Sequence, residues 1–290
     1  MKRAVLILIW IFATTVIASA QMTFFYPHVI NGLVGIVTWR TTILLTNPSS
    51  STTAVGAITF TKDNTDLIAS GSTWPVALTD ENNFTLTSSV FSFTLPPGAT
   101  RKWVTSSTGG LISGFANVTT NAGTVTGTAI FSEFDFNGNL VGEAGVPAVS
   151  PVLRQSILVD TLAKYAVGVA YANPGTSTAN ISLTLVDDTG AVVAGPTSSL
   201  MGSFNHTQGF VNQFFPSAAP LVGTMQITSS TPLIAVALRF DPTLQKFTTL
   251  PAMTLTSLIN SGMEWLEERG ERIFPAAVAA LLETFRFGIG

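Results

Sequence analysis

Few residues in this chain are of types that do chemistry, so their spacing can be weighed one case at a time. The two histidines are His28 and His206. A Ser-His-Asp hydrolase needs a nucleophile oriented by a base and a third group. The histidines fall at non-equivalent places and the chain holds no G-x-S-x-G, which argues against acyl transfer. Glu133, Asp135 and Glu143 cluster around an expected hairpin, and glycoside hydrolysis runs on paired carboxylates. Acidic residues at turns and strand edges account for the same cluster more simply. Asp135-Phe136-Asn137-Gly138-Asn139 opens like a calcium loop, but Gly138 comes early and the twelfth position is Val146 rather than glutamate. An Asn-Gly hairpin explains the stretch without metal, and Asp63-Asn64-Thr65-Asp66 is a weaker match still. No catalytic residue, metal site or cofactor is expected.

Tryptophan offers a different chemistry, because an exposed aromatic face can stack on a sugar ring. Trp39, Trp74 and Trp103 all fall in the first half of the chain. Core packing is the usual fate of such rings. Trp74, before Pro75 in a polar segment, is the best candidate for exposure and for a ligand or partner contact. Asn83, Asn117, Asn180 and Asn205 begin N-x-[ST] patterns, which matter only in a host that glycosylates.

The elements that would position these residues read as strands. Short apolar or alternating runs are expected at Thr41–Leu45, Ala54–Phe60, Val90–Leu95, Thr100–Thr105, Leu111–Val118, Val125–Phe134 and Leu140–Val146, punctuated by Gly, Pro and Asn turns. Asn137-Gly138 predicts a two-residue type I′ hairpin. The pattern then recurs. Asn47-Pro48 returns as Asn173-Pro174, an offset of 173 − 47 = 126. AIFSEFD at Ala129–Asp135 returns as AVALRFD at Ala235–Asp241, an offset of 241 − 135 = 106. The second copy is therefore about 20 residues shorter, and the missing part corresponds to Leu67–Val90. In that copy Leu153–Asp160, Val167–Tyr171, Leu221–Ser229 and Leu233–Phe240 read as strands, and Phe210–Phe215 as one helical turn.

These landmarks carry a resemblance. The Asn-Pro turn after a strand, the Pro96-Pro97-Gly98 closure, the two FD-ended strands, and the terminal GVPA (Gly145–Ala148) and TLPA (Thr249–Ala252) resemble tandem β-sandwich repeats, immunoglobulin-like in strand order, of uncharacterised bacterial secreted and surface proteins. The likeness covers roughly Phe24–Ala252 and implies fold and export. It carries over no catalytic residue, and the Cys…Trp…Cys pin of antibody domains is absent.

Composition bounds the rest. Of the 290 residues 46% are hydrophobic and only 10% charged, against roughly 25% charged in an average soluble protein. With 13 basic and 16 acidic residues there is no basic footprint for nucleic acid. A neutral Ser/Thr/Asn surface also lacks the repulsion that keeps molecules apart. No cysteine is present, so core packing must hold the fold.

Met1–Ala20 reads as a cleavable secretion signal: Lys2 and Arg3, an apolar run, then Ala18-Ser19-Ala20. The apolar run is shorter than the ~20 residues a membrane span needs. Near the other end, Leu255–Arg269 and Ala276–Phe287 look helical and could touch a membrane surface or a partner.

The expected fold is all-β: a signal peptide (1–20), two tandem antiparallel β-sandwich domains (21–150 and 151–252) and a short C-terminal helical tail (253–290). The expected role is a secreted or cell-surface, non-catalytic structural or adhesion protein that associates with itself or other surface proteins. A carbohydrate-binding module using exposed aromatics of the first domain, with glycans as partner, is the alternative.

Overall fold

The structure, a computed structural model, describes residues 21–255. The expected signal peptide and both expected C-terminal helices lie outside the described residues. Within them the chain is all-β, arranged as two antiparallel sheets. The first sheet has eleven strands: β1 (Thr23–Val34), β2 (Val37–Thr46), β3 (Ala54–Lys62), β4 (Ser72–Thr73), β5 (Val76–Asp80), β6 (Thr85–Ser88), β7 (Val90–Leu95), β8 (Thr100–Thr105), β9 (Ile112–Ala122), β10 (Thr126–Phe134) and β11 (Leu140–Pro147). The second has eight: β12 (Val152–Asp160), β13 (Ala166–Ala172), β14 (Ala179–Asp187), β15 (Val192–Met201), β16 (His206–Phe210), β17 (Val222–Phe240), β18 (Phe247–Pro251) and β19 (Met253–Thr254). One helical turn, α1 (Val211–Phe214), follows β16.

One strand turns the corner in each sheet. β1 pairs with β9 over Thr23–Asn31 and with β2 over Gly32–Val34. β17 pairs with β12 and β14 through its first half and with β13 and β18 through its second. The two sides then face each other across a shared core. Ile58 and Phe60 of β3 and Phe91 and Phe93 of β7 meet Ile43 and Leu45 of β2 and Phe131 of β10 in one cluster. The alternation in β7 shows why these residues form strands: Phe91, Phe93 and Leu95 are buried, while Val90, Ser92 and Thr94 are exposed. Each such side chain contributes about 1.5–3 kcal/mol on burial, which is how a chain without disulfides is held.

The repeated Asn-Pro has a concrete role. Asn47 Nδ2 lies within hydrogen-bond distance of the carbonyls of Thr52, Leu95 and Pro96, and its Oδ1 accepts from Ser49 N–H. Asn173 Nδ2 lies within hydrogen-bond distance of the carbonyls of Ser177, Met201 and Gly202, and its Oδ1 accepts from Gly175 N–H. Both side chains are buried. The matched partners Leu95 and Met201 sit at the 106-residue offset (201 − 95), so the length difference falls between β3 and β7. There the first sheet carries the extra strands β4, β5 and β6.

Several details differ from the sequence reading. The two strands expected at Leu221–Ser229 and Leu233–Phe240 merge into one continuous strand, β17, which starts at Val222, with Pro232 where its pairing partners change. The first residues of the expected tail, Met253 and Thr254, pair with Ser156 and Gln155 of β12. The Asn137-Gly138 turn is not a two-residue type I′ turn, because only Gly138 has positive φ. The Asp135 carboxylate accepts from the N–H groups of Asn137 and Asn139 and holds a wider loop closed. Asp80, Asp187 and Asp241 cap their own hairpins in the same way.

Candidate functional site

The residues singled out by type fare differently. Trp74 was expected at the surface, yet it is 2% exposed and packs edge-on against Phe60 at 6.2 Å, with Phe91 edge-on against the same Phe60 ring at 5.8 Å. The cause is local: β4 and β5, which flank it, pair with β3 and β8 and carry the ring into the core. Trp103 is also buried, and Trp39 is half-buried against Phe247 at 5.4 Å. Trp74 and Trp103 therefore offer no open stacking face. The carboxylates do not converge. Asp135 is occupied by its own turn. Glu143 accepts from Ser132 Oγ at 2.6 Å. Glu133, the next residue after Ser132, therefore faces the other side of the sheet. Its Oε2 is buried without a hydrogen-bond partner, and burial raises its pKa. Of the N-x-[ST] asparagines, Asn205 is fully buried, whereas Asn83 and Asn180 are exposed.

The junction between the two sheets is built on Asn205. Its Nδ2 lies within hydrogen-bond distance of the carbonyls of Asn64, Asp66, Leu67 and Ala69, and its Oδ1 accepts from the N–H groups of Asn64 and His206. A loop from the first sheet is thus wrapped around one side chain of the second. Backbone bonds flank it, Gly71 N–H to Ser203 O and Gly202 N–H to Leu67 O. A Cβ on Gly71 would strike the Phe204 carbonyl, and one on Gly202 the Ala69 carbonyl. Only glycine lets the two backbones approach so closely.

Beside this plug the two histidines meet. His28 follows Pro27 in a β-bulge of β1, where the register shifts between Tyr26 and Val29. Pro27 has no N–H for the ladder, and a bulge re-aims the side chain beside it. His206 opens β16 directly after Asn205. Nδ1 of His28 and Nε2 of His206 are 3.0 Å apart, with the ring planes within 11° of parallel. Nδ1 of His206 lies 3.6 Å from Asp63 Oδ2, which accepts from Ser113 Oγ at 2.7 Å. Burial and the neighbouring His206 hold His28 well below the ordinary histidine range. Burial also lowers His206, with Asp63 opposing. Burial alone would push Asp63 up, but its contacts with His206 and Ser113 outweigh that and leave it below the usual carboxylate range. Asp63, His206 and His28 stand in line, with a hydrogen bond between the two rings and an electrostatic contact, too long for a hydrogen bond, between His206 and Asp63.

That line ends at a cleft. His28 borders a space of about 290 Å³ between the sheets, walled by Trp39, Phe131, Phe210 and Phe240. Gln208 and Gln213 are its other polar neighbours. Among the described residues no serine, threonine, carboxylate or lysine lines it, so it supplies one base and no nucleophile. Sequence reasoning missed this arrangement because its parts are 178 residues apart; the rarity of histidine was the only signal.

A second feature lies at the outer end of the first sheet. The tip of the β1–β2 hairpin exposes Leu33, Val34 and Ile36, the last at 70%. Leu33 is hydrogen-bonded to Gly109 and Leu111, which brings exposed Leu111 and Ile112 alongside. No charged residue occurs in 31–39 or 107–114. Among the described residues no helix is long and apolar enough to cross a membrane.

No family model, curated protein or solved structure matches this chain.

Proposed function

We propose that this is an exported, non-catalytic structural or adhesion protein, built as two tandem antiparallel β-sandwiches over 21–150 and 151–252, that works by protein–protein association. The observation that carries the reading is the uncharged apolar tip formed by Leu33, Val34, Ile36, Leu111 and Ile112. A cluster of exposed large apolar side chains on a soluble surface marks an interaction site. Neither segment that builds the tip, 31–39 or 107–114, carries a lysine or glutamate of its own to discourage pairing, as edges usually provide. The occupant that fits is a second copy of the chain, since an uncharged apolar patch is complementary to itself and a net charge of −3 over 290 residues repels weakly. The duplicated Asn47 and Asn173 lock support the two-sandwich part of the reading, and the sequence of Met1–Ala20 supports export.

The chain has no cysteine, so one introduced thiol reports contact cleanly. Ile36→Cys is expected to form a disulfide-linked dimer under mild oxidation. Ser198→Cys, on the exposed strand β15 at the sheet edge, is expected to stay monomeric. Cross-linking at Ser198→Cys alone would move the contact to the strand edge, and cross-linking at neither would overturn self-association.

A further inference from the structure

We propose that the cleft between the two sheets is a binding site for a neutral, mainly aromatic small molecule that carries one hydrogen-bond donor, such as a phenolic hydroxyl. The site is separate from the apolar tip and does not depend on it.

Size gives the first argument. An apolar cavity of about 150 Å³ takes one benzene ring, so about 290 Å³ has room for roughly two fused rings. Lining gives the second. Trp39, Phe131, Phe210 and Phe240 wall the space, and Phe210–Phe240 and Phe131–His28 meet edge-on at 5.6 and 5.1 Å. Such walls favour another ring. Gly168 makes the room. A Cβ there would lie 3.3 Å from the Phe240 ring and 3.7 Å from that of Phe210, so a larger side chain would occupy the space itself.

The polar anchor fixes the ligand's hydrogen-bonding sense. Asp63 Oδ2, 3.6 Å from His206 Nδ1, favours a proton on that nitrogen. Nε2 of His206 then accepts from Nδ1–H of His28 across the 3.0 Å contact. This leaves a lone pair on Nε2 of the ring that borders the cleft, so the ligand must donate. Charge is unwelcome: with no charged side chain among the described lining residues, an ionised ligand would lose its hydration without a counter-charge.

Isothermal titration of the purified chain with 2-naphthol, beside naphthalene-2-sulfonate, tests this near neutral pH. Saturable one-to-one binding of the naphthol, with the sulfonate at least tenfold weaker, is expected. His28→Phe keeps a ring and removes the acceptor, and should weaken the naphthol about three- to tenfold. Gly168→Leu should abolish binding while the thermal melt stays cooperative. If Gly168→Leu does not fold, His28→Phe alone decides. Naphthol that fails to saturate, binds no better than the sulfonate, or binds His28→Phe as tightly as the native chain overturns the proposal.

Discussion

Asn47 and Asn173 do the same work twice. Each buried amide brings its two N–H groups within reach of three backbone carbonyls at the close of a strand. Truncation leaves those carbonyls buried and unpaired, at about 1–3 kcal/mol for the exposed deficit. Asn47→Ala and Asn173→Ala are each expected to lower stability by about 2–4 kcal/mol in urea unfolding. The pair should add, since the two sites share no partner.

The histidines predict a pH dependence. Unfolded histidine titrates near 6.5, and both His28 and His206 lie lower in the fold. Below about pH 6.5 the unfolded chain therefore binds more protons, so stability is full above that pH and falls as pH drops. Asp63 faces His206 and stays ionised in this window. The raised carboxyl of Glu133 acts with the opposite sign. Unfolding free energies from urea titrations at pH 7.5 and 5.5 should differ by up to about 1.4 kcal/mol for each histidine that stays neutral. His28→Phe should remove part of that difference, and a midpoint unchanged between the two pH values would contradict the buried neutral pair.

At the scale of elements, the legible strands were those that alternate on a sheet with one face buried. Val90–Leu95 and Thr100–Thr105 emerge with the bounds that their patterns set. β15 was not legible, because VVAGPTSSLM carries Gly, Pro and Ser and is exposed along most of its length. β17 looked like two strands, since Pro232 interrupts the apolar run where the strand passes from one set of partners to another. Trp74 was misread for a related reason: a polar, Pro-flanked insertion looks like a surface loop until its short strands find β3 and β8. The His28–His206 contact could not be read at all, because no periodicity links a bulge in one sheet to the start of a strand in the other. The junction loop gives a prediction of its own. In Asn205→Ala, amides of residues 63–71 should exchange hydrogen markedly faster by mass spectrometry, with β2 and β10 unchanged. Unaltered exchange there would mean that the flanking backbone bonds suffice.

At the scale of the whole molecule, the cores run into each other. Ala170, Val236, Leu238 and Phe247 of the second sheet belong to the first cluster, and Leu67, in the loop between β3 and β4, packs on the second. Phe115, Ala172 and Ile234 form a third cluster between them. Cooperative units follow shared burial, so calorimetry should record one unfolding transition; two resolved transitions would show that the halves melt independently. A body of this kind, neutral outside and apolar at one tip, is suited to association. Sedimentation velocity of the purified chain over a rising concentration series, beside Ile36→Asp, tests that most directly. The account predicts a concentration-dependent shift to dimer for the native chain and a monomer throughout for Ile36→Asp. A native chain that stays monomeric to about 100 μM, above the range of ordinary specific association, would contradict it.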